Sequence, residues 1–284
     1  MPGPRGLSPV CSQISNPEIP PVPSAASVNV QRVALGVEYD GTDYCGWQSQ
    51  LHAPSIQETL NAAISVVADE PVACVGAGRT DSGVHASGQC VHFDSRAVRS
   101  RHSWLLGINS NLPANINILS VQRVSTDFHA RFSATGRAYR YVILNRSVRS
   151  ALTRHRAWWV REDLDVEAMA AAATSLIGTH DFSSFRAAGC QAHTAVRDLR
   201  TLNVAKVDEQ IFIECEANAF LQHMVRNIVG SLVRIGHGEA DAAWLKGLLG
   251  QRDRRVAGIT APACGLTLMR VDYPPGLGAE SADK

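Results

Sequence analysis

No stretch of this 284-residue chain comes near 18 consecutive apolar residues, and the first residues hold no continuous apolar run. Neither a membrane span nor a signal peptide is therefore expected. The seven cysteines, at 11, 45, 74, 90, 190, 215 and 264, are odd in number and include no C-x-x-C pair. That spacing supplies no disulfide framework, and it predicts reduced thiols in the cytosol. Excess charge is also missing: the formal net charge is only +1, which excludes a protein that binds nucleic acid as a uniform polycation. What is present is 45% hydrophobic residues, enough to bury one sizeable core or two smaller ones.

Charge is uneven along the chain. Between Phe128 and Arg161 stand eight arginines (131, 137, 140, 146, 149, 154, 156 and 161) without one Asp or Glu. Taking those eight from +1 leaves about −7 for everything else, so positive charge gathers on one segment. The bland alternative is a solvated surface.

Residues 1–30 contain seven of the 13 prolines with little periodicity, and read as a disordered leader. From Gln31 to Tyr39, Val33, Leu35, Val37 and Tyr39 alternate with other residues at the period of a half-buried strand. Ser55 and Glu58 fit a capping box, and Ile56, Leu60, Ala63, Ile64 and Val67 mark a helix over 55–68. Strands are expected at 71–76, 89–94 and 116–124, with a helix near 98–107. A second unit repeats the order: a strand at 137–144, a helix from Val166 to Ile177, strands at 196–206 and 210–217, helices at 220–235 and 240–249, and a strand at 266–273. Each half has the β-α-β-β-α-β order, so the expected fold is α+β with two ferredoxin-like halves, 31–134 and 135–273, followed by a polar tail at 274–284. The seam between them is the natural ligand cleft.

The stretch from Gly76 to Ala86, Gly-Ala-Gly-Arg-Thr-Asp-Ser-Gly-Val-His-Ala, puts Arg79, Asp81 and His85 on one glycine-rich connection. Taken alone, Asp81-Ser82-Gly83 is also an ordinary turn signal. A dinucleotide fingerprint fails because Asp81 stands where the third glycine belongs and no helix follows. A metal set of Asp81, His85, Cys90 and His92 is rejected on its strand-like spacing.

The motif Gly-Arg-Thr-Asp-x-Gly-Val-His resembles the active-site motif of the TruA family of tRNA pseudouridine synthases. Three further stretches are similar to that family in the same order: Glu38–Gly41 with Gly46–Gln48, Phe128–Ala134 leading to Tyr139, and Asn218–Phe220 leading to Met224–Asn227. The similarity covers roughly residues 32–273. Ser82 departs from the family, which commonly has Ala there. The resemblance implies two α+β halves around a long, mostly antiparallel sheet, a homodimer, and a cytoplasmic enzyme that isomerises uridine in the anticodon stem-loop of tRNA, about positions 38 to 40.

By that resemblance Asp81 is the catalytic carboxylate. Tyr139 lies against the target base, Arg79 helps displace the target nucleotide, Arg226 pairs with Asp81, and Leu268 walls the uracil pocket. Arg226 also follows from its own setting, because an arginine among apolar helix residues wants a carboxylate. The isomerisation conserves atoms, so its stoichiometry requires no cofactor, and no metal is expected. Two rivals from other classes are a non-catalytic RNA-binding protein and an N-glycosidase using the same Asp.

Overall fold

Nine residues, Gln31–Tyr39, form strand β1, with Val33, Leu35, Val37 and Tyr39 buried as their alternation predicts. The computed structural model describes residues 30–276; the leader, apart from Val30, and residues 277–284 of the tail lie outside the described residues. Helix α1, Ile56–Ala68, starts where Ser55 accepts a hydrogen bond from the Glu58 N–H at 3.3 Å. Next come β2 (Val75–Gly76), β3 (His85–Ser95), α2 (Arg101–Ser110) and β4 (Ile116–Val124). The second half holds β5 (Gly136–Asn145), β6 (Trp158–Val160), α3 (Val166–Ala173), β7 (Gly178–Asp181), β8 (Val196–Val207), β9 (Gln210–Ala217), α4 (Met224–Gly236), α5 (Ala242–Gln251) and β10 (Leu266–Asp272).

All ten strands join one sheet, ordered β4-β1-β3-β10-β5-β9-β8-β7, with β2 beside β3 and β6 beside β5. The first half runs β4-β1-β3-β2 and the second β10-β5-β9-β8, the same ferredoxin-like permutation twice. Pairing is antiparallel except for β3 with β10 and β5 with β6. The α+β architecture read from the sequence is the one observed. A single large core runs through both halves, from Val33, Leu60 and Trp104 to Tyr141, Leu199 and Leu232.

The joint between the halves positions the site. One edge of β3 is covered by β1, while the other is shared: β2 faces Val91 and His92, and β10 faces His85 and Ala86. The chain leaves β2 at Ala77 and enters β3 at His85. The connection bearing Asp81 thus springs from the fork where that edge passes from one half to the other.

Several boundaries differ from expectation for physical reasons. Pro71–Cys74 is extended but unpaired with any strand, because α1 takes up its polar groups. Ser65 Oγ accepts the Val72 N–H at 2.9 Å, Asn61 Oδ1 accepts the Cys74 N–H at 2.8 Å, and Gln57 Nε2 donates to the Cys74 carbonyl at 2.8 Å. These three side chains are one helical turn apart, so a single helix face does the work of a strand. The helix expected from 220 begins only at Met224, since His223 turns into the left-handed region at φ 62°. Phe220 leaves the helical face and meets Tyr139 edge-on instead, with ring centroids 5.0 Å apart. Helix α2 lies three residues later than expected, starting where Ser100 accepts from the Ser103 N–H. The short strands β6 and β7 carried too few residues to signal themselves.

Candidate active site

The connection from Ala77 to Val84 is held by its neighbours rather than by its own hydrogen bonds. Thr80 Oγ1 bonds the buried Tyr39 hydroxyl at 2.8 Å, Gln89 Nε2 donates to the Gly78 carbonyl at 2.8 Å, and the Trp47 N–H donates to the Thr80 carbonyl at 3.0 Å. Burial pushes the Tyr39 phenol up to about 12, so it remains a neutral hydrogen-bond partner. The turn closes with the Val84 N–H on the Asp81 carbonyl at 3.1 Å. Ser82, the departure from the family pattern, turns its hydroxyl away to the Tyr44 carbonyl at 3.2 Å. Two glycines are required by this packing. Gly46 has φ +94°, and a Cβ there would lie 2.8 Å from the Thr80 carbonyl oxygen; a Cβ on Gly41 would lie 2.0 Å from that of Val84. The motif Glu38–Gly41 with Gly46–Gln48 therefore serves as the bed on which the Asp81 turn lies.

Asp81 meets the start of α4. Arg226 Nη1 donates to its Oδ2 at 3.2 Å, and His223 Nε2 is 3.5 Å from the same oxygen. Arg226 is itself anchored, with Nε donating to the Ala261 carbonyl at 2.7 Å while the Ala261 N–H donates back to the Arg226 carbonyl. The pair expected from the sequence is thus present, partly open rather than sealed, with side chains 22% exposed at Asp81 and 15% at Arg226. Both partners take Oδ2, so Oδ1 has no hydrogen bond to the protein among the described residues. The sequence placed His223 beside Arg226 on a helix edge but gave no sign that it reaches Asp81, because that contact depends on the left-handed bend at His223.

Around this pair lies a cleft of about 1000 Å³. Its wall carries five arginines (79, 131, 137, 197 and 226) and a single carboxylate, Asp81. Against a net +1 for the whole chain, that is a strongly electropositive cavity. Arg79 is exposed, with no hydrogen bond or ion pair among the described residues. Arg137 is clamped by four backbone carbonyls, those of Ala77, Arg131, Ala134 and Asn218, and burial lowers its pKa. Of the eight arginines in the basic run, Arg131 and Arg137 reach the cleft, while Arg140, Arg146 and Arg156 pair with Glu214, Glu209 and Asp40. The arginine-rich segment read from the sequence is therefore divided between cleft and surface.

Tyr139 stands on the cleft wall, almost buried, with its ring braced by Phe220. Burial, then the negative charges Tyr39 and Asp81 would present, push its phenol well above the ordinary tyrosine range. It is therefore an uncharged ring surface and not a proton acceptor at neutral pH. Leu268 is not on the wall. It is fully buried between Tyr139 of β5 and Ala86 of β3, and Leu266, two residues earlier on the same strand face, lines the cleft in its place. His85, the last of the three chemistry-bearing residues in the glycine-rich stretch, is buried and structural: Nδ1 accepts the Gly41 N–H at 3.1 Å and Nε2 donates to the His155 carbonyl at 2.7 Å. His92 likewise spends Nδ1 on the Ala130 N–H. No cluster of three or more metal-ligating side chains occurs among the described residues.

Comparison with known proteins agrees with this geometry. The chain is 50% identical over 242 residues to "tRNA pseudouridine synthase A" of Hydrogenovibrio crunogenus, covering 85% of this chain and 92% of that one. It is 48% identical over 251 residues to the protein of that name from Photobacterium profundum, covering 88% and 96%, and 49% identical over 244 residues to that of Coxiella burnetii, covering 86% and 94%. A family model described as tRNA pseudouridine synthase matches residues 36–133 and 172–274, which include the Asp81 turn, Arg197, the start of α4 and β10. The chain belongs to the tRNA pseudouridine synthase family.

Proposed function

We propose that this enzyme isomerises uridines of the tRNA anticodon stem-loop, about positions 38 to 40, with Asp81 as its catalytic carboxylate. The observation that carries the reading is the cleft: five arginines around one carboxylate whose Oδ1 is left open. Pure binding of a polyanion gains nothing from a carboxylate among the phosphates, so its presence there supports chemistry.

The reaction breaks the bond between ribose C1′ and uracil N1, turns the base, and joins C1′ to C5. N1 gains a proton and C5 loses one, so atoms balance without a co-reactant. Asp81 Oδ1 starts this exchange, by adding to the base or to C1′ or by taking the C2′ proton; each route begins at the same oxygen. Arg226 and His223 fix the carboxylate through Oδ2, and the positive pole of α4 adds to the field that keeps it oriented. The target base must leave its stack at a cost of a few kcal/mol. Arg79, without a hydrogen bond or ion pair among the described residues, is suited to hold the displaced strand, and stacking on Tyr139 returns on the order of 1–3 kcal/mol. Leu266 takes the wall position first expected of Leu268.

The enzyme works in the cytoplasm without a cofactor, as a homodimer whose second subunit completes the clefts. No helix among the described residues is long and apolar enough to cross a membrane. The test is to incubate purified protein with unmodified tRNA and map pseudouridine at each position. Pseudouridine at anticodon stem-loop positions, with unchanged mass, is the expected result. Release of free uracil would indicate an N-glycosidase, and pseudouridine confined to other regions would overturn the substrate assignment.

A further inference from the structure

Of the five cleft arginines Arg197 has no separate task so far, and the 189–194 loop beside it has none at all. Residues 189–194 and Arg197, near the start of β8, line the cleft, and Arg197 is only 9% exposed. Its Nη1 donates to the carbonyls of Thr194 at 3.0 Å and Val196 at 2.6 Å, while Nε is buried with no acceptor. Among the described residues Nη2 makes no hydrogen bond, and unlike Nε it is not sealed from solvent; Arg197 itself lines the cleft. Among the described residues no carboxylate pairs with Arg197. Arg186, whose Nη2 donates to the carbonyls of Cys190 and Ala192, has none either.

Two guanidinium charges therefore flank one short loop without a counter-ion. Burial, and the charge of Arg186, lower the pKa of Arg197 against an opposing effect of the Cys190 thiol, as expected of a buried cation with no carboxylate beside it. The Cys190 thiol reports the same field. Burial alone would raise its pKa, yet the N–H groups of Ala192 and Gln222 and the Arg186 side chain outweigh burial and lower it. Negative charge is favoured at this loop, and Gln222 is the neighbour of His223, which touches Asp81.

We propose that Arg197, with the 189–194 loop, forms a subsite for one backbone phosphate of the RNA strand that carries the target uridine. This deepens the RNA-binding reading of the cleft and rests on it. A planar guanidinium with one free edge suits a phosphate oxygen better than a water-filled wall does. Because the charge lacks a carboxylate partner until RNA arrives, it contributes to the complex, while the Nη1 bonds to Thr194 and Val196 contribute to the free fold.

The test uses the full-length protein and anticodon stem-loop RNA in which single phosphates are replaced by uncharged methylphosphonates. Arg197→Met is expected to weaken RNA binding about tenfold or more, the loss of one charge-assisted contact. The slope of log affinity against log salt should fall by about 0.7 to 0.9. One methylphosphonate should weaken the wild-type complex by a similar factor and leave the Arg197→Met complex no weaker. Arg197→Lys should recover the salt slope, and Arg197→Met, which also loses the bonds to the Thr194 and Val196 carbonyls, should melt somewhat lower. A lowered melting temperature with wild-type salt slope and wild-type methylphosphonate responses would make Arg197 a mere clamp on Thr194 and Val196, overturning the subsite alone. Should Arg197→Met fail to fold, the methylphosphonate scan on wild type and Arg197→Lys decides, and the absence of any phosphate that responds differently in the two overturns it. Wild-type binding that is indifferent to salt would overturn the RNA-binding cleft itself.

Discussion

Replacing Arg226 by Met separates positioning from stability. The guanidinium is 3.2 Å from Asp81 Oδ2 and is tied to Ala261 through Nε. Two unit charges about 4 Å apart interact by about 4 kcal/mol at an effective dielectric of 20. Both side chains here touch solvent, and partly exposed pairs retain only a fraction of that, so the fold should lose about 1 kcal/mol. Chemistry should lose more. Without Arg226 the carboxylate keeps only the His223 contact at 3.5 Å, and a misplacement of about 1 Å at a reacting atom costs on the order of 10²-fold in rate. The assay is single-turnover loss of tritium from C5-labelled uridine in tRNA, since the C5 hydrogen departs when C5 joins C1′. The expected result is a rate lowered about 10²-fold, with tRNA affinity within about an order of magnitude because phosphate contacts dominate it. Arg226→Lys should fall between, having a charge but not the fork that spans Asp81 and Ala261. Wild-type turnover by Arg226→Met, or a rate lost only in proportion to unfolded protein, would refute the reasoning.

Asp81→Asn should form no detectable pseudouridine while binding tRNA nearly as wild type does; appreciable turnover would remove Asp81 from the chemistry. Gly41→Ala places a methyl group 2.0 Å from the Val84 carbonyl oxygen and should cost about 2 kcal/mol and slow the reaction, read by urea unfolding and single turnover. Burial, aided by Arg32 and His129, holds the His92 imidazole near a pKa of about 4, against about 6.5 when unfolded. Its folded-state value is depressed, so the native state resists the proton: stability is full above pH 6.5 and declines by about 3 kcal/mol as pH falls toward 4. His92→Asn, which keeps an acceptor for the Ala130 N–H, should flatten that decline, and an unchanged urea midpoint profile would refute the assignment. Replacing Arg149 and Arg154 together should reduce the salt slope of tRNA binding by up to about 0.9 per lost contact; an unchanged slope would return both to the solvated surface.

Strand and helix periods made both halves legible, because buried alternation in β1 and β5 and the apolar stripe of α1 arise from local geometry that sequence spacing encodes. The need of Arg226 for a carboxylate was legible from its apolar helix, while Asp81 as that partner came from the family resemblance. What escaped detection depends on neighbours distant in sequence. Pro71–Cys74 has strand-like residues, but its hydrogen bonds go to α1 side chains. Leu266 and Leu268 share one strand face, and only the position of β10 against β3 decides which of them meets the cleft. Arg137 and Arg197 look like any other arginine in sequence, and only the tertiary fold turns them toward the Asp81 turn. His223 required a left-handed residue before a helix, which no periodicity encodes.

The shared edge of β3 also governs the order in which the site comes into being. Every charged side chain of the cleft wall, from Arg79 to Arg226, precedes β10 in the chain, yet β10 supplies Leu266 and the link between the halves. A nascent chain halted before Leu266 would carry the full set of charges with no seam to gather them around. Contacts between residues so distant in sequence are slow to form. The cleft is therefore expected to be among the last features completed during synthesis, and a polypeptide cut short ahead of β10 is expected to lack both pseudouridine formation and tRNA binding.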